Sequence, residues 1–177
     1  MAERESGTTT TAEPARGWDE FAPLYDEHHQ RLYRVALLLC HGAQAQAEDA
    51  VAETFIKVYN AWAAGGVENF FGYARQTLVN HVLGQYRREQ VASRYLSAQG
   101  GDLRGERQTE DTVVDSTTTF ELLELLPPRQ RAAVVLRFYE DMTYEQIATE
   151  LGVTVGTVKA QVSVGLQRLR TLMEEAS

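Results

Sequence analysis

The chain has little cysteine and no long apolar segment, and these absences exclude several classes of protein. It contains one cysteine, Cys40, in 177 residues, which excludes an internal disulfide. It has no run of about 18 apolar residues, the length that a membrane-spanning helix needs, and its Thr-rich start lacks the apolar segment of a signal peptide. We therefore expect no membrane insertion and a cytoplasmic location. Cys40 follows the apolar residues 35–39, which predicts a buried thiol to which we assign no role.

Positive charge is also scarce. Lysine and arginine number 17 against 25 aspartate and glutamate residues, for a formal net charge of −8. This is the wrong sign for a protein that holds nucleic acid by itself. A nucleic-acid function would therefore imply dimerisation, a protein partner that carries most phosphate contacts, or loose binding in isolation.

Motifs for catalysis are missing as well. The histidines His28, His29, His41 and His81 have no metal-ligand spacing with Cys40, and the sequence contains no phosphate-binding loop or nucleophile motif. We therefore expect no enzyme, no metal and no cofactor.

Helical periodicity predicts an all-α protein made of two small domains. Residues 1–17 are polar and unperiodic, which predicts a disordered tail. From Trp18 onward, apolar residues recur every three or four positions, which defines a first domain at residues 18–90. Glycine and scattered charge in residues 91–116 predict a flexible linker. Residues 117–177 form the second domain.

The clearest motif lies in this second domain, at residues 143–170. Thr143 and Gln146 have the spacing of a helix-capping box. Gly152 is placed to end that helix in a left-handed turn, and Thr154 to cap the next helix. Pro127-Pro128 opens an earlier helix. The pattern predicts a helix-turn-helix whose second helix reads nucleic acid, with an ordinary helical hairpin as the alternative.

A helical wheel separates two sides of that second helix. The inward side carries Val155, Val158, Val162, Gly165, Leu166 and Leu169. The outward side carries Gly156, Ala160, Val164 and Gln167, flanked by Thr157, Gln161, Ser163 and Arg168, with Lys159 and Arg170 at the edge. The outward side is small, polar and lightly charged.

Two helices of the first domain also have distinct faces. The helix predicted at about residues 45–62 has an apolar stripe at Ala47, Val51, Phe55, Val58 and Trp62. Its opposite face carries Asp49, Glu53, Ile56 and Asn60. That acidic face is either a solvated surface with one stray isoleucine or a docking surface.

The helix predicted at about residues 70–88 is apolar on one side and polar on the other. The apolar side carries Ala74, Leu78, Val79, Val82, Leu83 and Tyr86. The polar side carries Tyr73, Thr77, Asn80, His81, Gly84, Arg87 and Arg88, which suits contacts to phosphates and bases as well as a soluble surface. In the preceding segment, the aromatic residues could hold an unstacked base or serve as core residues.

Four segments together resemble a known family, the extracytoplasmic-function group of the sigma-70 factors of bacterial RNA polymerase. Residues 47–55 (AEDAVAETF) resemble its core-polymerase-binding helix, and residues 73–80 (YARQTLVN) its −10-element helix. Residues 126–131 (LPPRQR) and 155–159 (VGTVK) resemble its −35-binding domain. The order and separation of these segments make chance similarity improbable.

The resemblance implies a promoter-specific initiation factor whose partners are core RNA polymerase, promoter DNA and an anti-sigma factor. It implies that the polymerase-binding residues are Asp49, Glu53, Ile56 and Asn60. It implies −10 contacts at Asn69, Phe70, Phe71, Tyr73, Thr77, Asn80, His81, Arg87 and Arg88. It implies −35 contacts at Thr143, Thr157, Lys159, Ala160, Gln161, Ser163, Val164 and Arg168.

The chain departs from the family pattern at Gln161 and Val164, where many members carry arginine. Gln161 could pair with adenine instead, and Val164 could contact a thymine methyl group, so we expect an altered −35 preference. Two other functions stay open. One is a stand-alone helix-turn-helix regulator that binds a palindrome as a homodimer. The other is a sigma-like decoy that binds a regulator of sigma factors.

Overall fold

The computed structural model of the chain describes residues 16–98 and 114–175. These residues form helices and connecting turns without any β-strand, which confirms the all-α prediction. In chain order the helices are α1 (Trp18–Leu39), α2 (Gln44–Ala63), α3 (Phe70–Ala98), α4 (Val114–Glu124), α5 (Pro128–Phe138), α6 (Tyr144–Leu151) and α7 (Val155–Glu175). None of the helices in the described ranges combines the length and hydropathy needed to cross a membrane.

Helices α1 to α3 pack around an aromatic centre. Phe21 of α1 is 1% exposed, and its ring meets Tyr59 and Trp62 of α2 at centroid distances of 5.0 and 5.5 Å. The predicted apolar stripe of α2 is buried throughout, which confirms that assignment. Cys40 is 1% exposed, and burial raises the pKa of its thiol to about 12.

Helices α4 to α7 form the second half and follow the predicted motif closely. Pro128 occupies the first turn of α5. Thr143 and Gln146 form the capping box of α6, and Gly152 ends that helix with a φ of 63° in the left-handed region. The Thr154 hydroxyl accepts a hydrogen bond of 3.2 Å from the Thr157 amide. The helix-turn-helix geometry is therefore set by these local signals.

Some predicted boundaries differ from the structure. Helix α3 continues past the predicted end at Arg88 to Ala98, and α4 begins at Val114, ahead of the predicted start of the second domain at residue 117. The predicted linker 91–116 therefore includes helical residues at both ends. Residues 91–96 are exposed, so α3 extends here without an apolar stripe that periodicity could detect. Residues 99–113 and the tail residues 1–15 lie outside the described part.

Helix α7 shows one error in the predicted inward side. Val158 and Val162 are buried, but Leu166 is 39% exposed. Gly165 packs against α5, where an added Cβ would lie 3.1 Å from a methyl carbon of Val134. This close approach fits glycine, which has no side chain. A helical wheel does not show that the residue after Gly165, Leu166, is no longer covered by α5.

The two halves of the chain are in contact. Helices α1 and α3 of the first half pack against α5, and α3 also packs against α6. Phe120 of α4 lies over the turn at Gly42, where an added Cβ would come within 2.9 Å of its ring. The buried apolar residues therefore continue from one half into the other.

Candidate functional site

The acidic face of α2 is fully available to a partner. Asp49, Glu53 and Asn60 are exposed, and Ile56 is 58% exposed. The helix fixes their positions because its opposite stripe is anchored in the core. A single exposed aliphatic side chain is found on solvated surfaces as well as on docking surfaces, so both interpretations of this face stay open.

The polar face of α3 presents a second set of exposed side chains. Asn80, Arg87 and Arg88 are exposed, and Tyr73 is 37% exposed. The face therefore offers an amide, a phenol and two guanidinium groups to a nucleic acid. Thr77 is only half-buried, and its hydroxyl donates a 2.8 Å hydrogen bond to the Tyr73 carbonyl in the same helix.

His81 is less suited to DNA contact than the resemblance implied. Its Nε2 atom is buried and has no hydrogen-bond partner among the described residues. Its Nδ1 atom lies 3.4 Å from the Lys57 amine. Burial, with the positive charge of Lys57, lowers the pKa of His81, so the ring is neutral at neutral pH. It carries no charge toward a phosphate.

The segment before α3 holds Asn69 as a helix cap. The Asn69 Oδ1 atom accepts a 3.0 Å hydrogen bond from the Gly72 amide, and its carbonyl accepts one from the Tyr73 amide. Side-chain oxygens in this position satisfy the free amides of the first helical turn. An added Cβ at Gly72 would lie 2.9 Å from the Asn69 side chain, so Gly72 leaves room for the cap.

The two aromatic residues at the start of α3 serve the protein interior. Phe70 is 8% exposed, with its ring 5.5 Å from that of Phe21 and stacked 5.4 Å from His28. Phe70 therefore lies in the core in this arrangement, as the core alternative predicted, and its ring is not exposed to an unstacked base. Phe71 is half-buried, and the Arg31 guanidinium covers its ring at 3.9 Å.

The reading helix α7 presents most of its predicted −35 residues. Exposed residues on it are Thr157, Lys159, Ala160, Ser163, Val164 and Arg168. Thr143 is exposed at the amino terminus of α6, where its hydroxyl is engaged in the capping box. The Lys159 Nζ atom lies over the Tyr144 ring, 5.7 Å from its centroid, so the ammonium group is held against the first helix of the motif.

Gln161 differs from this pattern. It is half-buried, and its Oε1 atom is shielded from solvent without a hydrogen-bond partner among the described residues. Bidentate pairing with adenine needs both the oxygen and the nitrogen of the amide. The predicted adenine contact therefore requires a different side-chain conformation from the one in the structure.

One group of charged residues went unrecognised in the sequence. Arg75 of α3 bonds Glu150 of α6 at 2.8 Å and Glu140 of the α5–α6 turn at 3.1 Å. Burial lowers the pKa of Arg75, but its bonds to both glutamates outweigh this and raise it. A signal was present, because Arg75 lies three residues before Leu78 on the apolar side of α3.

Arg131 of α5 was also missed. It is 4% exposed, and its guanidinium donates to the carbonyls of Leu39 at 2.7 Å, Leu123 at 2.8 Å and Leu126 at 3.0 Å. It also donates to the Tyr86 hydroxyl at 3.0 Å. One cation therefore satisfies carbonyls at the carboxyl ends of α1 and α4, where positive charge is favoured.

Two family matches correspond to the two halves. Residues 24–91 match Sigma-70 region 2, and residues 120–169 match Sigma-70, region 4. The first match contains the faces of α2 and α3, and the second contains the helix-turn-helix. The site and fold thus define a bacterial sigma-type transcription factor.

Individual relatives narrow the class. The ECF RNA polymerase sigma factor SigE of Mycolicibacterium smegmatis is 34% identical over 90% of this chain, which spans 63% of that protein. The ECF RNA polymerase sigma factor SigL of Mycobacterium tuberculosis is 33% identical, over 86% of this chain and 88% of SigL. The chain therefore belongs to the extracytoplasmic-function sigma factors of the sigma-70 family, which are promoter-specific transcription initiation factors.

The fold is also found in a solved structure. The sigma factor RpoE of Bartonella quintana, in complex with the anti-sigma factor NepR, has a TM-score of 0.69 at 22% sequence identity. The likeness covers 88% of this chain and 98% of RpoE. It supports the all-α assignment.

Proposed function

We propose that this chain docks on core RNA polymerase through the acidic face of α2 and reads promoters through α3 and α7. Asp49, Glu53, Ile56 and Asn60 form the docking surface. Tyr73, Asn80, Arg87 and Arg88 contact the −10 element. Thr157, Lys159, Ala160, Ser163, Val164 and Arg168 contact the −35 element, with Thr143 near the DNA backbone. The observation that carries this proposal is that exposed faces fall within the two matched sigma regions.

Strand opening follows from differential binding at the α3 face. Asparagine and tyrosine side chains can bond and stack on bases that have left the duplex. Arg87 and Arg88 can hold the adjoining phosphates. Because such contacts form only with separated strands, they favour the open state over the duplex.

The stand-alone regulator and the sigma-like decoy, the two other functions, predict different experimental results. A stand-alone regulator uses only the helix-turn-helix and gives no role to the match over residues 24–91. A decoy would keep both halves but would not support transcription. Run-off transcription from a promoter library with purified core polymerase distinguishes these functions, since the proposal requires sequence-selective transcripts. Absence of transcripts from every promoter would contradict it and favour the decoy.

Partners and location follow from the same proposal. An initiation factor works where chromosome and polymerase are found, which places this protein in the cytoplasm. RpoE of Bartonella quintana was solved with an anti-sigma factor, and we extend that class of partner to this chain. A polymerase-bound factor also explains how a net charge of −8 is compatible with promoter binding, because the polymerase supplies most phosphate contacts.

The net charge predicts weak DNA binding by the free protein. We expect a dissociation constant for promoter duplex of about 10⁻⁶ M or weaker at physiological salt, in the range of non-specific binding. Adding core polymerase should produce tight, sequence-selective binding. Fluorescence anisotropy with and without core checks this, and tight specific binding by the free chain would contradict it.

The two reading helices should act at different steps. Asn80→Ala should impair strand opening more than initial engagement, because its contacts are to an opened strand. Lys159→Ala should lower affinity for the −35 duplex by about 1–3 kcal/mol if it contacts a base edge, and less if it contacts a phosphate. Permanganate footprinting measures opening, and filter binding on a template with a pre-opened −10 region isolates the −35 step.

A control variant is available on the same helix. Gln90 is an exposed amide of α3 that lies about 80° around the helix from Asn80. Gln90→Ala should leave both steps unchanged. Normal promoter melting by Asn80→Ala would remove the role assigned to that residue.

A further inference from the structure

Helix α3 is longer than the family segment that contains it. Sigma-70 region 2 matches residues 24–91, whereas α3 continues to Ala98. We call residues 91–98, which form about two helical turns, the α3 extension. Residues 91–96 are exposed, so the core of the protein does not cover this part of the helix.

The side chains of the α3 extension fall on two different sides of the helix. At 100° per residue, Val91, Arg94 and Tyr95 lie within about 60° of Asn80, the central amide of the polar face. Glu89 lies on the opposite side, about 180° from Asn80. The polar face of α3 therefore continues along the extension, with a cation and a tyrosine in place of the amide.

The charge of this end of α3 is opposite to that of the whole chain. Residues 87–98 contain three arginines against one glutamate, for a net charge of +2, whereas the chain has −8. Arg87, Arg88 and Arg94 all lie within about 80° of Asn80. Among the described residues, none of the three guanidinium groups pairs with a carboxylate. A surface that only keeps a protein soluble generally intersperses both signs, so this one-sided charge favours a partner rich in phosphate.

The exposed tyrosine narrows the class of partner. Tyr95 is 72% exposed and Val91 is 50% exposed, and their spacing of four residues makes them neighbours on the helix. A protein-binding surface has a centre depleted of charge, whereas here arginines stand beside the tyrosine. Arginine and tyrosine side chains together are typical of contacts to the phosphates and sugars of DNA.

We propose that Arg94 and Tyr95 bind the backbone of duplex DNA upstream of the −10 element. The chain runs from the carboxyl end of α3 toward the half that reads the −35 element, which is the upstream element of a promoter. The α3 extension is therefore the end of the helix that points upstream. Because phosphates and sugars are alike at every base pair, the contact does not depend on promoter sequence.

The length of the helix sets the reach of this contact. Arg94 follows Asn80 by fourteen positions, or about 21 Å at 1.5 Å per residue. At 3.4 Å per base pair, this distance corresponds to at most about six base pairs. The contact therefore lies within about six base pairs upstream of the position that Asn80 reads, in the duplex between the two promoter elements.

This inference rests on the proposed function, because it extends the surface by which α3 binds a promoter. It assigns the extension to a different step from Asn80. Duplex upstream of the −10 element stays paired before and after strand opening, so Arg94 and Tyr95 stabilise initial engagement and the open complex alike. Their replacement should weaken promoter binding without a specific defect in opening.

Neutralised phosphates give the sharpest test. One template carries methylphosphonate linkages about six base pairs upstream of the −10 position, and the other carries natural phosphates. Both have a pre-opened −10 region, so differences in strand opening do not contribute. At 50 mM salt we expect wild-type protein with core polymerase to bind the neutralised template about threefold or more weakly, the size expected for one lost phosphate contact. Arg94→Ala with Tyr95→Ala should bind the two templates equally.

Salt dependence provides an independent readout. On natural DNA, the slope of log affinity against log salt concentration should be smaller by about 1 in the Arg94→Ala, Tyr95→Ala variant. Arg34→Ala with Leu96→Ala is the matched control. Arg34 is an exposed arginine of α1, and Leu96 is 42% exposed about 160° around α3 from Asn80. This control loses the same charge and one large side chain of the extension, and it should keep the wild-type slope.

The outcomes separate this inference from the proposed function. All four replaced side chains are exposed, so both double variants should keep the fold, which circular dichroism checks. An equal loss on the neutralised template by wild type and the Arg94→Ala, Tyr95→Ala variant would overturn the contact. Weaker binding of that variant to core polymerase without DNA would also overturn it, since the face would then bind protein. If wild type with core polymerase binds no promoter, the proposed function fails, and this inference with it.

Discussion

Arg131→Met should lower the stability of the protein by about 3–5 kcal/mol, the range for leaving buried polar groups without a charged partner. The substitution keeps an unbranched side chain but removes the donors to Leu39, Leu123 and Leu126. The buried Leu39 carbonyl at the end of α1 would then lose its charged donor, and the Leu123 carbonyl of α4 would keep only its 3.1 Å bond from the Leu126 amide. At about 2–4 °C per kcal/mol for a chain of this size, the melting temperature should fall by about 6–20 °C.

Arg129→Met provides the comparison for this prediction. Arg129 is an exposed residue of the same helix α5. Arg129→Met therefore changes the net charge by the same amount without disturbing a buried group. Its effect on stability should stay within about 0.5 kcal/mol. Thermal unfolding followed by circular dichroism measures both variants. A melting temperature for Arg131→Met equal to that of Arg129→Met would show that the buried guanidinium is not needed.

Reversing two charges on the docking face should abolish polymerase binding without unfolding the protein. Asp49→Arg combined with Glu53→Arg replaces two carboxylates with two guanidinium groups on the surface that we propose contacts core polymerase. Residues central to an interface contribute about 2–4 kcal/mol each, so we expect affinity for core polymerase to fall at least about 100-fold. Neither residue is in the buried stripe of α2, so helix content should not change.

Glu48→Arg is the matched control for the docking face. Glu48 is exposed on the same helix, about 100° away from Asp49. Pull-down of core polymerase compares the three proteins. Undiminished capture by the double variant would remove the docking hypothesis, and equal loss with Glu48→Arg would reduce it to an effect of net charge.

The fold was predicted well where the signals are local. The capping box at Thr143 and Gln146, the turn at Gly152 and the buried stripe of α2 depend on residues a few positions apart, and the structure confirms each of them. The end of α3 was predicted less well. Residues 91–96 are exposed and show no apolar stripe, so no pattern marked Ala98 as the end.

The candidate site was predicted in outline and corrected in detail. A helical wheel places Asp49, Asn80 and Lys159 on exposed faces, because the period of a helix fixes which residues share a face. The wheel does not show how far neighbouring helices and turns bury a residue. The burial of Phe70 against Phe21, and the shielded amide of Gln161, depend on neighbouring elements.

By itself, the sequence determined the helices, their caps, the helix-turn-helix and the family resemblance, because each depends on short-range geometry or on motifs in a fixed order. Only the tertiary structure decided how the halves meet. The glutamates bound by Arg75 lie far away in sequence, as do the Leu39 carbonyl and the Tyr86 hydroxyl bound by Arg131. No periodicity within one helix specifies which distant group a buried guanidinium will bond. Long-range pairing of polar groups is decided by packing, where an unsatisfied buried charge is too unfavourable to persist.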